Sequence, residues 1–177
     1  MPSGRRLNVG GNFAITGAGV LNMTNAGDSL FITGSATFAG GSTAATLTNG
    51  LLRVVGDFTQ SAVTHVASFS PSGVHKTVLG GAGVSDVSMG SPGLGATGSH
   101  FQVLDVSPAT GGIILDVNMQ ADSLISTAAA ATISGPLVAL TARRVQVSGL
   151  TFQNTRFILD EQTVAETDDA YLRKPAR

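Results

Sequence analysis

The chain has 177 residues, a formal charge of −1, 12% charged residues and no cysteine. Disulfides and thiolate metal sites are therefore excluded, near-neutrality argues against a general pull towards nucleic acid or an anionic membrane, and no apolar run reaches the ~18 residues that span a bilayer. A hydrophobic content of 42% with 23 glycines rules out a disordered chain and favours stacked strands joined by glycine turns.

Taken in chain order, the first element is an alternating run, Leu7-Asn8-Val9-Gly10-Gly11-Asn12-Phe13. It comes back as Leu30-Phe31-Ile32-Thr33-Gly34-Ser35-Ala36 and as Leu52-Arg53-Val54-Val55-Gly56-Asp57-Phe58, with the leading leucines 23 and then 22 residues apart. Such self-similarity marks stacked repeats, in which one unit cannot bury its own apolar face. Parallel stacking predicts inward columns Leu7/Leu30/Leu52, Val9/Ile32/Val54, Gly11/Gly34/Gly56 and Phe13/Ala36/Phe58. The outward columns are then Asn8/Phe31/Arg53, Gly10/Thr33/Val55, Asn12/Ser35/Asp57 and Ala14/Thr37/Thr59. A second short strand is expected in each unit, over residues 20–23 and 43–47, after glycine turns. No window carries the i, i+3, i+4, i+7 pattern of a helix.

Beyond Gln60 the period blurs. Strands are expected at residues 74–79, which begin 22 residues after Leu52, then at 101–106, 112–117, 124–125, 145–147, 150–152 and 157–159. Residues 80–99 read as an insertion loop on one face and as the best candidate for a contact surface. The turn 27–30 is echoed at 121–124, placing Asp28 and Asp122 in the same turn type. Residues 160–177, with five acids and three bases, read as an irregular tail. The expected organisation is one domain, residues 1–159 in solenoid repeats and 160–177 as the tail. Roughly eight rungs at ~4.8 Å would make a rod about 35–40 Å long. With no polar cap in sight at either end, it reads as a piece of a longer solenoid.

Several patterns invite functional readings. Gly93-Leu94-Gly95-Ala96-Thr97-Gly98 matches Gly-x-Gly-x-x-Gly, but a dinucleotide site needs a helix after it, and a strand is expected there. Asp105 with Asp116, or Asp57 near Asp86, could supply the carboxylate pair of glycoside hydrolysis. Asp57 instead falls in the outward polar slot of the repeat, and Asp105 and Asp116 are left without a structural account. His65, His75 and His100 lack the spacing of a metal triad and read as hydrogen-bonded histidines. Arg5-Arg6 and Arg143-Arg144 read as solvated loop charge. A threonine ladder for ice binding is interrupted by Arg53 and Asp57. The sequence thus assigns no catalytic, cofactor-binding or metal residue.

The phrases Leu52-Arg53-Val54-Val55-Gly56-Asp57-Phe58-Thr59-Gln60 and Ser99-His100-Phe101-Gln102-Val103-Leu104-Asp105-Val106-Ser107 resemble the repetitive β-solenoid passengers of bacterial surface proteins. These are the autotransporter and filamentous-haemagglutinin-like adhesins. The resemblance implies an all-β, single-stranded right-handed parallel β-helix, located outside the cell or on its surface, whose rungs keep the spacing of Leu7, Leu30 and Leu52. It also implies a structural or adhesive segment without catalysis. Its partners would be the rest of a longer solenoid and host or cell-surface glycans or proteins, without nucleic acid or membrane insertion. Two alternatives stand beside it. A carbohydrate-active β-helix, a lyase or hydrolase, would bring Asp105, Asp116 and an arginine into one groove. A β-sandwich binding module would scatter Leu7, Leu30 and Leu52.

Overall fold

The computed structural model describes residues 4–127 and 131–160, which form strands and no helix. Each of the first five coils carries two strands. They are β1 (Arg6–Val9) and β2 (Phe13–Thr16), β3 (Ser29–Ile32) and β4 (Ala36–Ala39), β5 (Leu51–Val54) and β6 (Phe58–Gln60), β7 (Lys76–Leu79) and β8 (Ser85–Met89), and β9 (Phe101–Asp105) and β10 (Ile113–Leu115). Longer strands β11 (Met119–Ser126), β12 (Thr132–Val147) and β13 (Thr151–Leu159) complete a parallel β-solenoid of about 7 turns, not eight. The odd strands stack into one flank and the even strands into another. β12 belongs to both: its start pairs with β10 and its later part with β11. It turns between them at Pro136 and Leu137, where Leu137 takes a φ of 59°. Segments running from each even strand to the next odd strand form a third, irregular side.

The predicted columns are the observed register. Leu7, Leu30 and Leu52 pair directly, as do Val9, Ile32 and Val54, and Phe13, Ala36 and Phe58. This stacking removes the sandwich alternative. The recurring run itself is not one strand but two, bent at residues 10–12. Glycine is needed there for close approach: a Cβ on Gly34 would lie 2.7 Å from the Gly11 carbonyl carbon, and one on Gly56 would lie 2.8 Å from that of Gly34. The same approach lets the Gly34 and Gly56 N–H groups donate to Gly11 and Gly34 oxygens at 3.1 and 3.0 Å.

The later register corrects the sequence reading. The leucine column runs from Leu7 through Leu30, Leu52, Thr77, Leu104, Leu124 and Val145. Thr77, not Val74, therefore continues it, and Val74 is exposed. The rung length expected from the opening repeats holds only as far as Leu52; the coils then lengthen up to Leu104 and shorten beyond it. Residues 80–99 are not a single insertion either, because β8 lies inside them and pairs with β6 and β10. The added residues are spread over 61–75, 80–84 and 106–112, between paired strands. On the third side the strand expected at 20–23 reduces to one bridge, Met23 to Leu47. Residues 161–177 of the expected tail lie outside the described residues.

Inside the coils an aromatic ladder fills the width. Phe38 sits 6.2 Å from Phe13 and 5.4 Å from Phe58, while Phe69 lies 4.8 Å from both Phe38 and Phe58 and 5.7 Å from Phe101. Ala36 is the small member of the column Phe13/Ala36/Phe58, and the space it leaves is taken by Phe38 from two residues along. Close packing of this kind tolerates neither a hole nor an added methyl. Replacing Gly56 by Ala is expected to cost about 1–3 kcal/mol in chemical denaturation. Gly83→Ala, where nothing lies within 4 Å of the new carbon, should cost less than half as much.

Candidate functional site

The outward slot Asn12/Ser35/Asp57 is a ladder of acceptors at the bend. Asn12 Oδ1 accepts from the Ser35 N–H at 2.9 Å, Ser35 Oγ from the Asp57 N–H at 3.1 Å, and Asp57 Oδ1 from the Asp86 N–H at 3.0 Å. A side-chain oxygen one coil back thus takes the Ser35 and Asp57 N–H groups at the bends and the Asp86 N–H near the start of β8. Asp57 and Asp86 are thus neighbours, and Asp57 holds the corner.

Asp105 and Asp116 do not converge. Asp105 is on the odd flank, ion-paired with Lys76 and accepting from the Ser107 N–H at 2.9 Å. Burial alone would raise its carboxyl; the Lys76 ammonium and the Ser107 hydrogen bonds hold it below the ordinary aspartate range. Asp116 follows β10 on the even flank and is exposed.

The histidines are hydrogen-bonded, as expected, and differ in depth. His65 Nδ1 accepts from the Ala67 N–H at 3.0 Å in an exposed loop. His75 is fully buried against the Phe69 ring, its Nδ1 donating to the Asn49 carbonyl at 2.7 Å and its Nε2 without a partner among the described residues. Burial pushes its pKa down to about 4, against the upward pull of the Asn49 carbonyl, because a second N–H on the ring would point into apolar surroundings. His100 is buried with its ring nitrogens 3.0 Å from the Gly93 oxygen and 2.8 Å from the Pro71 oxygen. Burial lowers its pKa too, more than these carbonyls and the Asp122 charge raise it.

His100 forms part of a cleft of about 250 Å³ where the third side meets the odd flank. Gln102, Asp122 and Arg143 line it from three successive coils, with Pro71 and Leu94 as apolar wall. Their alignment follows from the register, which stacks Phe101 on Ala121 on Ala142 and Val103 on Ser123 on Arg144. Gln102 Nε2 donates to Asp122 Oδ2 at 3.3 Å. Arg143 Nη1 and Arg144 Nη2 stand 3.8 and 3.4 Å from the Asp122 oxygens, and Arg143 Nε stands 3.8 Å from Asp160. Arg143 Nε has no hydrogen-bond partner among the described residues. The result is one carboxylate, one amide and a loosely held guanidinium facing a partly apolar hollow. It can exchange hydrogen bonds with a small polar ligand.

Two sequence expectations change here. The echo of Asp28 in Asp122 is real in register but not in role. Asp28 Oδ2 accepts from the Asn25 N–H at 3.2 Å in a turn, while Asp122 lies within β11 and pairs with arginines. The basic doublets are not loop charge. Arg143 and Arg144 lie in β12, and Arg6 in β1 stacks 4.0 Å over the Phe31 ring. Sequence reasoning misses the cleft trio, although Gln102, Asp122 and Arg143 precede Leu104, Leu124 and Val145 by a constant offset that could have shown them stacked. Residues 93–98 form a loop closed by the Pro92–Ser99 bridge and followed by β9, so no helix N-terminus meets a phosphate there. Comparison with family models, curated proteins and solved structures returned no match.

A histidine whose folded pKa is depressed stabilises the fold fully above its unfolded pKa of about 6.5 and loses that contribution as the pH falls towards 4. Urea titrations across this window should show a loss of about 3 kcal/mol in the native chain, and a flatter profile in His75→Gln. Asp105 acts lower, its contribution fading only below the ordinary aspartate pKa of 3.8. Asp57→Ala should cost about 0.5–1 kcal/mol by handing the exposed Asp86 N–H from a fixed carboxylate to water, with Asp57→Asn recovering most of it.

Proposed function

We propose that this chain is a non-catalytic structural and adhesive segment, a stiff solenoid stalk of a bacterial cell-surface protein of the autotransporter or filamentous-haemagglutinin type. The observation that carries this reading is the parallel pairing that runs from β1 to β13, with one register shift between Ser134 and Val138. Side chains that look chemically suggestive in sequence are taken up by that register, Asp57 at the corner ladder and Asp105 on Lys76. The adhesive element is the cleft of Gln102, Asp122 and Arg143, whose rim includes residues 94–96 of the segment read as a contact surface. Glycans or proteins at the surface of a host or neighbouring cell are the partners.

A second reading, a carbohydrate-active β-helix, is favoured by the gathering of His100, Asp122 and Arg143 in one hollow. Hydrolysis by the two-carboxylate route needs a second acid, and among the described residues Asp122 is the one acid in the lining. Incubation with a panel of polysaccharides separates the two. The stalk reading expects glycan or cell binding without released product, weakened at least tenfold by Asp122→Asn with Arg143→Gln. Released sugar that disappears in the same variant would establish the enzyme instead. Absence of the chain from the cell surface in fractionation would sink the stalk.

A further inference from the structure

Charge is divided between the two strand flanks. Asp86 in β8, Asp116 just beyond β10 and Asp57 just before β6 are exposed on the even flank, and β2, β4, β6, β8 and β10 contain no lysine or arginine. The odd flank carries Arg6, Arg53, Lys76 and Arg144 in β1, β5, β7 and β12. Its acids are already matched, Asp105 by Lys76 and Asp122 by Arg143 and Arg144, and Arg6 and Arg53 pair with no carboxylate among the described residues.

Asp57 and Asp86 are register neighbours on adjacent coils, and like charges directly opposite each other destabilise a sheet. Asp57 has its corner to hold. The carboxylates of Asp86 and Asp116 have no hydrogen bond or ion pair among the described residues, so nothing within the rod accounts for them. Elsewhere the even flank is short-chained, with Ala14, Thr37, Thr59 and Ser88 in one column. A short-chained carboxylate-bearing flank and a cationic one are complementary surfaces on the same molecule.

We propose that the acidic even flank of one copy docks side by side on the cationic odd flank of a second copy. The two surfaces differ, so the contact is heterologous and adds copies in a row without closing. Five short strands offer roughly 300 Å² per partner, well under the ~800 Å² of a stable interface. Association is therefore weak and salt-dependent, since screening length falls from ~30 Å at 0.01 M to ~3 Å at 1 M salt. It follows from the charge layout and holds whether or not the chain is a stalk.

Sedimentation velocity over a concentration series tests it directly. Native chain in 20 mM NaCl should grow beyond dimer as concentration rises to several hundred micromolar, and should be monomeric in 500 mM NaCl. Asp86→Asn with Asp116→Asn, and separately Arg6→Gln with Arg53→Gln, should each be monomeric alone. Their mixture keeps one working flank on each partner and should stop at a 1:1 pair. A native chain that stays monomeric in low salt overturns the proposal without any variant. So do a closed dimer, salt-insensitive growth, or variants that assemble like the native chain.

Discussion

In-register parallel stacking is the constraint from which the rest of this protein follows. Each side chain lies over its counterpart one coil away, ~4.8 Å distant, so a residue is tolerated only if its whole column tolerates it. At the bend Gly34 and Gly56 must be glycine, because each lies closer to the backbone of the coil before it than a Cβ permits. In the interior it can be aromatic only if a neighbour is small, which is how Ala36 makes room for Phe38 between Phe13 and Phe58.

Polar groups obey the same rule. Each member of the column Asn12/Ser35/Asp57 supplies an acceptor for one N–H on the next coil, those of Ser35 and Asp57 at the bends and that of Asp86 in β8. Gln60 continues an inward column below Phe38 and survives burial by donating to Ser68 Oγ and accepting from the Gly90 N–H. His75 is buried with its Nε2 unpartnered among the described residues, and burial is why it resists protonation. The column that holds His75 continues through Gln102, Asp122 and Arg143. Along it the environment opens from a closed core to the rim of a cleft, and the chemistry changes from a buried neutral ring to a charged pair. Position in the column, more than residue type, decides which of these is available to a ligand.

The first three coils are legible residue by residue because strand pairs are joined there by bends of constant length, residues 10–12, 33–35 and 55–57. After Gln60 the connections lengthen, and the eye follows the nearest apolar residue instead of the register. Val74 stands out in the sequence although Thr77 occupies the rung, since a threonine in a leucine column breaks the hydrophobic pattern without breaking the backbone ladder. β8 is hidden for a related reason. Its Ser85, Asp86 and Ser88 look like loop, but inward Val87 and Met89 are what matter to the core.

The sequence by itself determined the parallel solenoid, its inward columns through Phe58 and the structural duty of Asp57, because local periodicity specifies which residues must stack. Only the tertiary structure decided which distant residues share a surface. Asp105 and Asp116 were natural partners on paper and fall on different flanks, while Gln102, Asp122 and Arg143 meet from three coils. The division of charge between flanks is likewise invisible along the chain, since alternate strands go to alternate flanks and mix the two signs in sequence. Coil length sets that sorting, and it becomes known only when each coil has closed on the one before.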